Sequence, residues 1–271
     1  TLIDFIITFF LFGSFTAMVA GTGALFNQQL NLPSSVGNIL MAVITASTVM
    51  TGITGVINSI SIVVPFLLTV VISTSIISFF NSPLDVNDAV LNAGENLLIS
   101  NWFMAAILYA SYNIIISVAV LGPLGSEAKD NSSIRNGAVL GGLGLGLSAI
   151  MIYLALSWNI TEIAHFEVPM LIIAGRISYT AQIAYAVVLI AEIYTTAVGA
   201  LYGFTSRITN VQSYTVKGKF FITLITVAAL LASQFGFSNI VRYLYPAVGY
   251  GGIILLVCLI ISKLDNKNQQ F

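Results

Sequence analysis

Long apolar runs separated by short polar segments organise this chain. From Phe5 to Leu84 there is no Asp, Glu, Lys, Arg or His, and a helix needs only about 20 apolar residues to cross a bilayer. The runs are continuous, whereas strands of a membrane barrel alternate over about ten residues. We therefore predict an all-α fold, one polytopic transmembrane bundle over residues 1–271. Its eight predicted spans are 2–26, 36–57, 60–80, 101–124, 134–157, 177–206, 219–238 and 241–262.

Two segments interrupt this pattern in distinctive ways. The pair Asn58-Ser59, ahead of Pro65, is predicted to separate the second span from the third. The segment 159–178 is too polar in its first half to cross a membrane and too apolar in its second half to float free. We expect it to form a re-entrant or interfacial hairpin. His165 lies within it, and a lone histidine beside an acid is more often a satisfied interface residue than a ligand or a pH sensor.

Composition agrees with the lipid assignment. Hydrophobic residues make up 58% of the chain and charged residues only 7%, against about 25% charged residues in soluble domains. The mean hydropathy is +0.99. The net charge of −1, without a basic tract, gives no reason to expect nucleic acid as a partner. The lone Cys258 cannot form an internal disulfide.

The distribution of basic residues predicts the orientation, because they favour cytoplasmic loops. Seven lie on one side by span parity and two, Arg176 and Arg242, on the other. Both termini are therefore expected in the cytoplasm of a cell membrane protein. The seven are Lys129, Arg135, Arg207, Lys217, Lys219, Lys263 and Lys267. The opposite loops carry Asp85, Asp88, Glu95, Glu162 and Glu167, with Trp102 and Trp158 at the outer span ends.

Small residues recur at helical spacing in several spans, which predicts tight helix packing in lipid. The sets are Gly13, Ala17 and Gly21; Gly137 and Gly141; Gly142 and Gly146; and Gly199 and Gly203. The run GGLGLGLS at 141–148 follows no strand, so we do not interpret it as a phosphate loop. Gly21, Thr22 and Gly23 expose main chain within one turn, and they either line a ligand cavity or serve packing.

Polar side chains at membrane depth are the strongest functional candidates. Ser111, Tyr112 and Asn113 are adjacent in the fourth span, so they either bond a neighbouring helix or face a wet cavity. Transporter helices are often broken at such places. This stretch has neither Gly nor Pro, so a continuous helix with an interhelical hydrogen bond is equally compatible with it.

In the sixth span, Glu192 stands on one helical face with Thr195, Thr196 and Gly199. A charge at the bilayer centre costs roughly 2.5–3.5 kcal/mol, so Glu192 should face protein or water. Cation or proton coupling is the favoured interpretation, and a protonated glutamate bonded to another helix is the alternative. Thr195 and Thr196 offer hydroxyl oxygens of the type that bind Na⁺, although threonine commonly bonds to its own helix instead.

Several of these motifs together resemble a known family. They are AGTGALF, VGNIL, VPFLL, LYASYN followed by LGPLG, and EIYTTAVGALYG. The chain resembles the YkvI-type bacterial membrane proteins, within the amino acid–polyamine–organocation superfamily. The resemblance implies a LeuT-type architecture of two inverted five-helix repeats, with broken first and sixth helices around a central site.

On this resemblance the eight spans correspond to helices three to ten of such a fold. The chain is then a fragment lacking about two N-terminal helices. Segment 159–178 resembles the outer gate segment between helices seven and eight. LYASYN resembles the broken sixth helix, which implies substrate contacts at Ala110, Ser111, Tyr112 and Asn113. Thr195 and Thr196 resemble the hydroxyl pair of a sodium site on helix eight.

The sequence thus predicts a secondary active transporter of a small, amino acid-like solute, coupled to Na⁺ or H⁺ by alternating access. A non-transporting membrane sensor or assembly subunit is the alternative. An enzyme is not expected, because Glu192 has no carboxylate partner inside the spans and the single histidine lies outside them. No cofactor is expected beyond the coupling ion. The expected partners are the solute and the lipid bilayer, and the sequence names no protein partner.

Overall fold

The fold, seen in a computed structural model, is a bundle of α-helices. Residues 2–81, 101–126, 130–157, 163, 165–208 and 216–268 are described, and they include no strand. A 3₁₀ turn, Ser233–Phe235, joins the last two helices. The helices are α1 (Leu2–Leu30), α2 (Ser34–Val49), α3 (Ile53–Asn81), α4 (Trp102–Ser126), α5 (Asn131–Ser157), α6 (Pro169–Ile177), α7 (Tyr179–Ile208), α8 (Val216–Ala232) and α9 (Phe237–Asn268).

Helical residues lie within each of the eight predicted spans, and the chain is a membrane protein with several helices capable of crossing a bilayer. Among the described residues, five stretches have the necessary length and hydropathy: Asp4–Leu30, Asn131–Ser157, Tyr179–Ile208, Val216–Phe235 and Phe237–Cys258. Three apolar helical stretches are shorter: Ser34–Val49, Pro65–Phe80 and Trp102–Ile115. The predicted outer-loop residues Asp85, Asp88, Glu95, Trp158 and Glu162, and the basic Lys129, lie outside the described residues.

The predicted boundary between the second and third spans was wrong. Helix α2 ends at Val49 and α3 begins at Ile53, so Asn58-Ser59 lies inside α3. Gly52 has φ = +90°, a conformation that glycine adopts without a steric penalty and that commonly ends a helix. The polar pair is shorter than a turn, and it lies between apolar residues that continue the helix.

Helix α1 is the centre of the bundle. It packs against α2, α7, α8 and α9, and the rings of Phe10 and Phe15 are fully buried in this core together with Leu11 and Leu201. A second apolar cluster joins α3, α5 and α6 to α7. Helix α1 also contacts α4, so α1 meets five other helices and its side chains can line cavities between them.

Glycines allow two pairs of helices to touch through their backbones. A Cβ atom at Gly37 of α2 would lie 2.7 Å from the carbonyl oxygen of Thr22 on α1. A Cβ atom at Gly252 of α9 would lie 2.6 Å from the carbonyl oxygen of Ser111 on α4, and Gly249 is similarly close to Leu108. Sequence analysis did not single out these glycines. They hold α1 to α2 and α4 to α9.

The glycines along one side of α5 were predicted to pack tightly against another helix, and the structure does not place them in such a contact. Gly137, Gly141, Gly142 and Gly146 meet no described atom where a Cβ would stand. The helix packs against α3 and α6 through other residues, such as the buried Ser148 and Ala155. Within the described part of the chain, therefore, this stripe packs no helix.

Asp130 precedes α5 and caps its first turn. The backbone N–H of Ser133 donates to the Asp130 carboxylate at 2.6 Å, and this hydrogen bond lowers the pKa of that carboxyl.

Segment 159–178 contains a short helix rather than a hairpin within its described residues. Helix α6 starts with Pro169, whose missing N–H suits a first helical position. It buries Met170, Leu171, Ile173 and Ala174 against the bundle. His165 is exposed, and its ring lies 4.3 Å from that of Phe166.

Candidate functional site

A cavity of about 450 Å³ lies where α1, α4, α7 and α9 meet the start of α6. Ligand sites of small molecules commonly have volumes of this order. Its lining is mostly apolar but includes two carboxylates and three tyrosines. The lining residues are Met18, Gly21, Tyr112, Asn113, Glu167, Val168, Pro169, Met170, Tyr185, Leu189, Glu192, Ile193, Thr196, Phe237 and Tyr245.

Helix α7 contributes the polar face of this cavity. Tyr185, Leu189, Glu192 and Thr196 follow one another at intervals of four, three and four residues, which places them on one side of an α-helix. The predicted face comprised Glu192, Thr195, Thr196 and Gly199. Glu192 and Thr196 do line the cavity. Thr195 and Gly199 are buried in the bundle instead.

The Glu192 side chain is the central chemical feature of the cavity. Its side chain is partly buried and lines the cavity together with Tyr185 and Tyr245. Among the described residues its carboxyl group forms no hydrogen bond or ion pair, and its backbone carbonyl accepts a hydrogen bond from the Thr195 hydroxyl. A buried carboxyl without a fixed partner is costly, so its position beside a cavity favours a ligand or an ion as the partner.

The two threonines separate rather than forming one pair at the cavity. Thr196 lines the cavity. Thr195 is buried beside it, and its hydroxyl donates to the carbonyl oxygen of Glu192 at 3.0 Å. This back-bonding is the common alternative for threonine in a membrane helix. One residue of the predicted sodium pair, Thr196, therefore lines the cavity.

Helix α4 runs unbroken through residues 110–113, which agrees with the continuous helix of the two alternatives and not with the break that the resemblance implied. The hydroxyl of Ser111 donates to the carbonyl oxygen of Ile107 at 2.7 Å, and the amide of Asn113 to that of Tyr109 at 2.7 Å. Tyr112 and Asn113 line the cavity, whereas Ala110 and Ser111 do not. Without Gly or Pro, nothing in this stretch opposes continuous helical hydrogen bonding.

The glycines of α1 have different roles. Gly21 lines the cavity, where its Cα faces the ring of Phe237. Thr22 is fully buried and donates to the carbonyl oxygen of Met18 at 3.1 Å. Gly23 is packed against the Asn38 side chain of α2. Thr22 and Gly23, proposed either as substrate contacts or as packing residues, lie at the contact between α1 and α2, so packing is the role that the structure favours.

Aromatic rings form the wall opposite α7. The rings of Tyr112 and Tyr245 are 4.8 Å apart and nearly perpendicular. Phe10 lies behind both, at 6.2 and 5.6 Å. Such edge-to-face pairs hold rings in fixed positions. Sequence analysis missed Tyr185, Phe237 and Tyr245. Only Tyr185 carried a usable signal, its spacing of seven residues from Glu192.

The cavity end formed by Glu167, Val168 and Pro169 is attached to α1 by Gln28. The backbone N–H of Val168 donates to the Gln28 side-chain oxygen at 3.3 Å, and the Gln28 amide donates to the Val168 carbonyl at 3.2 Å. The Gln182 amide also donates to the Gln29 side chain at 3.0 Å. Gln28 of α1 thus holds the segment that closes this end, and Gln29 joins α1 to α7 beside it.

We expect Gln28→Ala to loosen this segment without unfolding the bundle. The substitution removes two hydrogen bonds, each worth about 0.5–1.5 kcal/mol. Hydrogen exchange in residues 165–177 should therefore become about tenfold faster or more. Mass spectrometry of the exchanged protein measures this change. Gln234→Ala is the matched control, because the Gln234 amide contacts only the carbonyl of Leu230 in the preceding turn. Equal exchange in both variants would contradict the role of Gln28.

A second, more apolar cavity of about 610 Å³ lies on another side of α1. Phe9, Phe12, Tyr243 and Leu244 are among its walls. Its described lining carries no acidic or basic side chain, so it offers less chemistry than the cavity at Glu192.

Comparison with known proteins agrees with the resemblance seen in the motifs. The chain is 26% identical over 269 residues to the uncharacterized membrane protein YkvI of Bacillus subtilis, a match that spans 99% of this chain and 75% of YkvI. It is 28% identical over 265 residues to the uncharacterized protein YyaD of the same organism, spanning 97% and 75%. The chain is therefore homologous to both. No protein-family model and no solved structure matches it.

Proposed function

We propose that this membrane protein is a secondary active transporter of a small organic solute, driven by a proton or sodium gradient through alternating access. The observation that carries the proposal is the Glu192 carboxyl, which faces a cavity of about 450 Å³ inside a bundle of apolar helices. Ionisable groups within membrane helices are rare and usually mark substrate or ion pathways. The resemblance to transporters makes an amino acid-like solute the first class to test.

The surroundings of Glu192 support coupling through this residue. A carboxyl that lacks a fixed partner can take up and release a proton or a cation as the cavity changes its access. Thr196, one turn along the same face, adds a hydroxyl oxygen for a sodium ion. Because Thr195 bonds back to its own helix, proton coupling at Glu192 is the simpler form of the proposal.

Helix packing supports the proposed inverted repeat. If the spans are helices three to ten, then α1 and α2 are the counterparts of α7 and α8, five positions later. These four helices pack together around α1. The proposal includes all eight spans, since a helix occupies every predicted position.

Contacts at the helix ends support the predicted span parity. Arg207, at the end of α7, forms an ion pair of 3.0 Å with Asp4, at the start of α1. At the other end of the bundle, Gln29 of α1 meets Gln182 of α7. The start of α1 and the end of α7 therefore share one side of the bundle. We propose that this is the cytoplasmic side, as the basic residues indicate.

Electrical recording from the full-length protein in proteoliposomes tests this function. A panel of amino acids and amines is added first under a proton gradient and then under a sodium gradient. Solute-dependent charge movement that requires either gradient supports coupled transport. Silence across the panel under both gradients contradicts it and favours a protein that binds solute without moving it.

A further inference from the structure

The cavity at Glu192 has an unbalanced set of charges. Two carboxylates, Glu192 and Glu167, are among its described lining residues, and none of those residues is Lys, Arg or His. Glu167 is exposed at one end, whereas Glu192 is partly buried. The lining thus supplies a carboxyl group at depth, and its residues include no positively charged side chain for a solute carboxylate.

The aromatic side chains of the cavity, like its carboxyl groups, favour a positively charged ligand. Tyr112, Tyr185, Tyr245 and Phe237 come from three helices and line one cavity. The face of an aromatic ring attracts cations, and several rings around one site are a known means of binding ammonium groups. The 4.8 Å contact between Tyr112 and Tyr245 fixes two of these rings relative to each other.

We propose that this cavity binds an organic ammonium ion, with Glu192 as the counterion and with Tyr112, Tyr185 and Tyr245 as aromatic walls. The inference narrows the solute class of the proposed transporter, and it rests on this cavity's being the solute site. A zwitterion fits the site less well, because its carboxylate would share the cavity with Glu192 and Glu167. A ligand with a positive charge alone is attracted both by the Glu192 carboxylate and by the aromatic rings.

Binding to the purified full-length protein tests the proposal without any gradient. Choline and ethanolamine are titrated by calorimetry, beside 3,3-dimethylbutan-1-ol, the neutral isostere of choline, and the zwitterion glycine betaine. We expect choline or ethanolamine to bind, and the neutral isostere to bind at least about tenfold more weakly than choline, because it lacks the charge that the rings and the carboxylate recognise. Glycine betaine should also bind more weakly than choline.

Variants assign the binding to the named residues. Glu192→Gln should weaken cation binding by about thirtyfold or more, as expected when one partner of a buried charge pair is removed. Asp130→Asn, which removes a carboxylate outside the cavity, is the matched control. Tyr245→Leu should weaken binding by about fivefold or more, and Tyr245→Phe, which keeps the ring, by less.

Three results would overturn the inference. They are equal affinity for choline and its neutral isostere, undiminished cation binding by folded Glu192→Gln protein, and binding of glycine betaine without binding of either cation. Binding and transport fail separately in this design. A protein that binds choline but moves no charge contradicts transport alone, whereas gradient-driven uptake of a zwitterion without cation binding contradicts the ammonium site alone.

Discussion

Glu192→Gln is expected to reduce gradient-driven accumulation of solute to the level of protein-free liposomes. Glutamine has nearly the same shape as glutamate, but its amide cannot carry a proton and does not attract a cation. Loss of one member of a buried charge pair costs about 2–5 kcal/mol, or about thirtyfold and more in affinity. Uptake of labelled solute by proteoliposomes under a proton gradient measures the effect.

Two further variants make this result specific. Glu192→Asp keeps the charge on a shorter side chain and should retain part of the uptake, whereas Asp130→Asn should leave uptake unchanged. Uptake that requires sodium and survives Glu192→Gln would move the coupling to Thr195 and Thr196. Thr196→Val should then abolish the sodium-driven uptake, because Thr196 is the member of this pair that lines the cavity.

Gly252→Val is expected to destabilise the bundle by about 1–3 kcal/mol or more, the range for an overpacked core. A Cβ atom at this position would lie 2.6 Å from the carbonyl oxygen of Ser111 and 2.7 Å from its carbonyl carbon. These are backbone atoms, so relief requires the whole of α4 to move away from α9. Thermal unfolding of the purified protein in detergent, followed by circular dichroism, measures the loss.

Gly142→Val is the matched control, since no described atom lies within 4 Å of a Cβ there. Both changes introduce the same β-branched side chain into a helix, so propensity effects cancel. Similar destabilisation by both variants would argue that the intrinsic helical cost, rather than the contact between α4 and α9, determines the effect.

Hydropathy alone predicted the all-helical fold and the approximate position of each long helix. It misplaced the boundary between α2 and α3, because a polar pair in lipid is less disruptive than one glycine with a positive φ. The spacing of small residues predicted packing for the glycines of α5, and it did not indicate the packing of Gly37, Gly249 and Gly252. Spacing shows where small residues recur, but it does not show which face meets a neighbour.

The candidate site was partly predictable for a similar reason. Glu192, Thr196, Tyr112, Asn113 and Gly21 were singled out because polar or glycine residues at membrane depth are costly or unusual. Phe237 and Tyr245 were missed, since aromatic residues are common in any membrane helix and give no local signal. Their role depends on which helices α9 packs against, and the spacing of residues within α9 does not show this.

The backbone contact between α4 and α9 has a mechanical consequence. Two helices whose main chains touch at Gly249 and Gly252 cannot roll past each other without losing that contact. We therefore expect α4 and α9 to move together, so that Tyr112 and Tyr245, one on each helix, keep a constant spacing. Glu192 lies on a different helix, α7. A movement of α7 relative to the joined pair would change the gap between the carboxyl group and the two rings.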